Sequence, residues 1–232
     1  MPGDHTKTQQ VAEAFYQHAR RAVEGSDLPV LEVNGAQQRG DDFGTRLANA
    51  IADAFAQGYE RAIAVGSDCP RLHEVDWESV TARLDEDTPV LGPTPKRDGT
   101  YLIGLHRSQF DEAAFASLPW KSPGLFSALA RHLTERAGAA PTLLAPRDDV
   151  NGHGELVALL RARTSSSARL LAAVRLVLGP TGHRARSESR TAESHFSGRR
   201  SRAPPSRSVS SAALPAVWGR TGVVSRLSDL SR

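Results

Sequence analysis

The chain has 232 residues, 39% of them hydrophobic, with one cysteine and a formal net charge of +3. That apolar content is enough for one packed domain with an appendage, and the single cysteine excludes an internal disulfide, as suits a reducing compartment. No apolar run approaches bilayer length, and the polar start Met1-Pro2-Gly3-Asp4-His5 is not a signal peptide, so a cytoplasmic protein without a transmembrane segment is expected.

The charge is unevenly placed. Up to Arg163 there are 17 Lys+Arg against 23 Asp+Glu, a net of −6; from Thr164 there are 12 arginines, no lysine and 3 acids, a net of +9, and the two sum to +3. The basic pI of 9.4 thus belongs to the C-terminal part and says nothing about the body. No repeat of solenoid period is present.

In chain order, Val11, Phe15, Ala19 and Val23 recur at helical spacing, which predicts an amphipathic helix over about 8–24 that ends at Gly25. Leu28 to Val33 reads as a short strand, and no strand precedes the helix. After the polar loop 37–44, Leu47, Ile51, Ala54 and Phe55 mark one face of a second helix that stops at Gly58. The apolar run Arg61 to Val65 is then a buried strand. Strand, helix and strand together predict a unit of parallel sheet.

That third element breaks into Gly66-Ser67-Asp68-Cys69-Pro70, a turn. A carboxylate therefore stands at the carboxyl end of a core strand, the edge where open α/β sheets bind ligands. Asp68 is a candidate metal ligand; the alternative is that it caps the following helix or bonds its own turn.

The stretch from His73 to Leu84 predicts a surface helix, with Val75, Val80 and Leu84 inward. Pro89 to Pro93 and Tyr101 to Leu105 read as strands separated by too few residues for a crossover, hence as antiparallel neighbours. Helices are expected over 108–118 and 125–137, a last short strand over 141–146, and a closing helix over about 154–163. From Thr164 the composition turns Arg/Ser-rich. A further helix is expected over 169–178, and 181–207 has too few apolar residues to offset chain entropy, so most of the tail is expected to be disordered. Its arginines could meet nucleic acid or acidic surfaces, but without aromatic interleaving or a binding motif no specific nucleic-acid partner is expected. The predicted division is a body at 1–163 and a tail at 164–232.

Five landmarks stand in order: Gly66-Ser67-Asp68-Cys69-Pro70, Gly92-Pro93, Asp98-Gly99-Thr100-Tyr101-Leu102-Ile103-Gly104-Leu105, Leu118-Pro119-Trp120 and Asp149-Val150-Asn151. From about Gln37 to Leu160 the chain resembles a bacterial glycosyltransferase-like family of the GT-A, or nucleotide-diphospho-sugar transferase, superfamily. More distantly it resembles nucleotidyltransferases that make molybdenum-cofactor and phospholactate nucleotides. The resemblance implies an α/β, GT-A-like (Rossmann-like) fold: a mixed, mostly parallel sheet sandwiched by helices. It also implies a nucleotide-sugar donor, a small-molecule or lipid acceptor, and Mg²⁺ or Mn²⁺ to stabilise the diphosphate leaving group.

On this resemblance Asp68 matches the family's metal position, and Asp149 with Asn151 matches a late turn that similar folds bring back beside it. Asn151 has a second reading as the N-cap of the closing helix. Gly66, Ser67 and Gly99 are the positions expected beside the donor, and Asp98 is expected on the substrate side as an acceptor-binding or general-base carboxylate. The alternative for Asp98-Gly99 is a plain hairpin corner. The family's Gly-Gly has become Gly99-Thr100, and a β-branched residue tolerates positive φ poorly. Relatives usually begin with a strand and a basic loop that holds the nucleotide. Here that first strand is expected to be missing, which leaves its neighbours' backbone groups unpaired.

Of the remaining residues, Trp120 is expected to pack as a lid at the cleft edge and Cys69 as a buried small residue. His73, His106, His132 and His153 lack ligand spacing, and Arg39 and Arg46 are expected to be solvated. The leading functional expectation is sugar transfer from a nucleotide diphosphate. Nucleotidyl transfer to a phosphorylated small molecule and a noncatalytic binding module are the alternatives.

Overall fold

A computed structural model describes residues 2–33, 37–95, 99–162, 167–179 and 221–226, with side chains from Thr6 onward and backbone only at 221–226. The helices are α1 (Pro2–Glu24), α2 (Phe43–Ala56), α3 (Trp77–Asp85), α4 (Glu112–Ala116), α5 (Leu125–Ala137), α6 (His153–Arg161) and α7 (Ala168–Leu178). The strands are β1 (Val30–Val33), β2 (Arg61–Gly66), β3 (Val90–Pro93), β4 (Thr100–His106), β5 (Thr142–Leu143) and β6 (Thr221–Arg226).

The strands form one sheet in the order β1-β6-β2-β4-β3-β5. β4 runs antiparallel to both neighbours, and the other pairings are parallel. This is the mixed, mostly parallel sheet expected, and the short β3–β4 connection is antiparallel as predicted. It is buried on both faces because successive side chains of one strand serve opposite layers. Ala62 and Ala64 pack with Leu47, Ile51 and Phe55 of α2, Phe115 of α4 and Leu129 of α5. Ile63 and Val65 pack with Ala19 and Val23 of α1 and with Val80 and Leu84 of α3.

The surface helix expected over 73–84 is divided. Leu72–Glu74 is one 3₁₀ turn, and α3 begins anew after Asp76, whose carboxylate accepts from Ser79 N at 3.1 Å. Asp76 makes the break, because a carboxylate that bonds the first amides of a helix fixes its start.

One expectation is revised outright. The gap between β1 and β2 is filled by β6, which lies parallel to both and aligns Val223 with Val30 and with Ile63. The backbone groups expected to be unpaired there have partners. β6 comes from the region expected to be mostly tail; the Arg/Ser-rich stretch 181–207 lies outside the described residues. α7 also lies past the boundary expected at 163. Its Leu170 and Val174 are fully buried against Val11 and Phe15 of α1. Among the described residues no helix is long and apolar enough to cross a membrane.

Candidate functional site

Because β4 is reversed, the carboxyl ends of β2, β3 and β5 and the amino end of β4 share one rim of the sheet. The segments leaving that rim enclose a cleft of about 720 Å³. Gly66, Ser67, Asp68, Gly99, Asp149 and Asn151 all line it. The structure thus gathers six of the seven residues singled out from the sequence, and Asp98 lies outside the described residues.

Asp68 is held in a defined place. Its Oδ1 occupies the space beside Gly66, where an added Cβ would come within 2.6 Å of it. A side chain at position 66 would turn that carboxylate out of this place. The capping alternative fails, since the 3₁₀ turn that follows has Arg71 as its N-cap and no side-chain cap bond.

The turn at 149–151 comes back against the same tip. Val150 N donates to the Asp68 carbonyl oxygen at 2.9 Å, and the Val150 side chain is buried with Val11, Phe15, Leu170 and Val174. One residue therefore ties the β2 tip, the late turn and the α1–α7 cluster together. On either side of it Asp149 is half-buried and Asn151 exposed, and Asn151 Nδ2 donates to Asp149 Oδ2 at 2.7 Å. Asn151 does not cap the closing helix: the N-cap of α6 is Gly152, without a side-chain cap bond.

Arg147 was not legible as a site residue, being a lone arginine between Pro146 and Asp148 with no spacing to mark it. It is nearly buried and braces the approach to the turn. Its Nη1 donates to Glu74 Oε2 at 2.6 Å and its Nη2 to the Glu74 carbonyl at 2.8 Å, while its backbone N donates to the Pro93 carbonyl at 3.1 Å. The Tyr101 hydroxyl donates to the Ala145 carbonyl at 3.0 Å. The Tyr101 ring lies so close over Gly92 that a Cβ there would be 2.5 Å from it.

Burial pushes the Cys69 thiol up to about 12; a backbone bond from Arg71 opposes this, Asp68 and Asp149 reinforce it, and Arg147 opposes it. The thiol is thus protonated and unreactive near neutrality, the buried small residue expected. Both candidate carboxylates lie within electrostatic reach of it.

On the facing rim Gly99 N donates to Thr94 Oγ1 at 3.1 Å, and Thr94 N donates back to the Gly99 carbonyl at 3.1 Å. Thr100 does not adopt the left-handed conformation that would have strained it. It opens β4, and its hydroxyl bonds the carbonyls of Gly92 and Leu102, both at 2.8 Å. The cleft wall is completed by Trp120, packed as expected: its ring is 5.4 Å from Phe43 and 5.1 Å from Phe115, and its Nε1 donates to the Phe115 carbonyl at 2.9 Å. A second cavity of about 790 Å³ lies by the start of α2, between Asp41, Arg46 and Leu118, and shares Phe43, Trp120 and Lys121 with the cleft.

Among the described residues no three or more His, Cys, Asp or Glu side chains are gathered as a metal cage. Of the candidate ligands, Asp68 and Asp149 bring carboxylates to the cleft, which Asp148 and Glu155 also line.

Comparison with known proteins gives two matches. The profile of a family described as an uncharacterized protein conserved in bacteria (DUF2064) matches residues 6–122, which takes in α1 and the β2 tip and stops short of the 149–151 turn. The crystal structure of a provisionally assigned nucleotide-diphospho-sugar transferase from Desulfovibrio desulfuricans superposes with a TM-score of 0.52 at 23% identity, covering 70% of this chain and 81% of that one. A likeness at that identity establishes the fold, and it is the fold expected from the sequence. No curated protein matches the chain.

Proposed function

The chain belongs to that bacterial DUF2064 family, and on this premise we propose that it is a metal-dependent glycosyltransferase-like enzyme that moves a sugar from a nucleotide-diphosphate donor to a small-molecule or lipid acceptor. The observation that carries the reading is the bond from Val150 N to the Asp68 carbonyl. It seats two carboxylate-bearing turns, far apart in the chain, on one rim of a GT-A-like sheet.

Asp68 and Asp149, with Asn151 orienting Asp149, would hold Mg²⁺ or Mn²⁺. The fit follows from the donor set: Mg²⁺ is usually held by one or two carboxylates together with substrate phosphates and water rather than by an all-protein cage, and two hard oxygen donors on one rim suit it. When bound, the ion supplies Lewis-acid stabilisation of the charge that develops on the diphosphate. The chain's own contributions are positional. Gly66 leaves room for the Asp68 carboxylate, Val150 fixes the spacing of the two turns, Gly66 and Ser67 offer backbone to the donor, and Gly99, its own backbone groups bonded to Thr94, shapes the wall beside it. Asp98, outside the described residues, is proposed as an acceptor-binding or general-base carboxylate.

A thermal-shift screen with Mn²⁺ tests this. UDP- or GDP-sugars are expected to stabilise the wild-type protein, and Asp68→Asn is expected to abolish the metal-dependent part of the shift. Stabilisation by free nucleoside triphosphates alone would favour nucleotidyl transfer, and no stabilisation by either would favour a noncatalytic module.

A further inference from the structure

The reading above places a diphosphate in a cleft whose charge is wrong for it. Of the described residues lining it, Asp68, Asp148, Asp149 and Glu155 are carboxylates, and Lys121 is the one Lys or Arg. One divalent ion cannot offset both the diphosphate and this surround, so cationic side chains at the rim matter.

Lys121 departs from its neighbours in two further ways. Its φ is +58°, in the left-handed region that a long side chain enters at a cost. Among the described residues the other two non-glycine residues of that kind, Asp27 and Asp87, are aspartates in the turns after α1 and α3, where short polar side chains are at home. Strain kept at a cleft wall is a pointer to function. Lys121 also lies on the wall common to the cleft and the second cavity. There its Nζ rests over the Phe43 ring, 5.5 Å from the centroid, a contact a phosphate would readily displace.

We propose that Lys121 is a binding residue for the donor's diphosphate at the junction of the two cavities, which places the transferred sugar between the nucleotide in the cleft and the acceptor in the second cavity.

The inference rests on the nucleotide-sugar reading and is tested so that the two can fail separately. UDP, GDP and ADP, each with Mn²⁺, are titrated calorimetrically into wild type, Lys121→Ala, Lys121→Gly and Lys121→Arg, with uridine, guanosine and adenosine as uncharged controls. The expected loss of diphosphate affinity is about tenfold for Lys121→Ala and Lys121→Gly, with smaller loss for Lys121→Arg and no change for the nucleosides. Lys121→Gly is expected to melt higher than wild type, because glycine relieves the positive φ; weaker binding in a more stable protein excludes unfolding as the cause. Diphosphate binding by Lys121→Ala and Lys121→Gly as tight as wild type overturns the assignment. Failure of wild type to bind any of the three diphosphates overturns the underlying reading with it.

Discussion

Two glycine-bearing turns face each other across the cleft, and the sequence alone gives little reason to rank them. At Gly66 an added Cβ would lie 2.6 Å from Asp68 Oδ1; at Gly99 it would meet nothing nearer than Thr94 Cγ2 at 3.6 Å, an ordinary contact. Neither needs a left-handed backbone. The first glycine leaves open the place that the Asp68 carboxylate fills, whereas the second sits in a turn held by two hydrogen bonds to Thr94. The lesson is that a motif glycine is a site-building residue only where a functional group occupies the place of its missing side chain.

The comparison is most severely broken by unseating the first turn from behind. Leu170→Ala removes a fully buried side chain from the cluster that anchors Val150. It is expected to cost about 2–5 kcal/mol in denaturant unfolding and to weaken the Mn²⁺-dependent thermal shift. Gly66→Ala sharpens the contrast directly. The methyl turns the Asp68 carboxylate out of its place; because only the end of that side chain has to move, the expected cost in unfolding free energy is below about 1 kcal/mol, while the Mn²⁺-dependent shift is expected to disappear.

Effects of pH act from behind the first turn, where the His18 ring donates to the Pro70 carbonyl, and from α5, which carries His132. Burial holds the His18 imidazole below the ordinary histidine range, and the nearby His73 ring adds to this; burial and then Arg136 do the same for His132. The folded state therefore binds fewer protons than the unfolded state in mildly acidic solution. The stability these groups contribute is complete above the unfolded value of 6.5 and is lost as pH falls below it toward the folded values. Melting temperature is expected to hold near neutrality and decline from about pH 6.5 downward, less steeply in His18→Gln. The smallest effect is Gly99→Ala, which is expected to change unfolding free energy by no more than about 0.5 kcal/mol.

Much of the sheet was legible because its signals are local. The apolar run Arg61 to Val65, the short connection that forces β3 and β4 antiparallel, and the helical spacing of Leu47, Ile51 and Phe55 each lie within one short window. The convergence of Asp68 with Asp149 and Asn151 was legible only through the order of motifs, since the bond that produces it joins residues as far apart as 68 and 150. β6 was not legible. Gly222, Val223 and Val224 are too short an apolar run to stand out in Arg/Ser-rich sequence, and what makes them a strand is the open slot between β1 and β2. α7 was visible as a helix, but its partner α1 was not, because periodicity shows that a face is apolar without saying what covers it. Backbone strain at Lys121 leaves no trace in composition at all.

On the proposed function, a divalent cation and a nucleoside diphosphate share the rim at Asp68 and Asp149. Anomalous diffraction from crystals grown with Mn²⁺ and UDP or GDP tests it most directly. The account predicts a manganese peak within coordination distance of the Asp68 carboxylate and the 149–151 turn, with the diphosphate on its open side. A manganese site elsewhere on the protein, with the nucleotide outside the cleft, would contradict it.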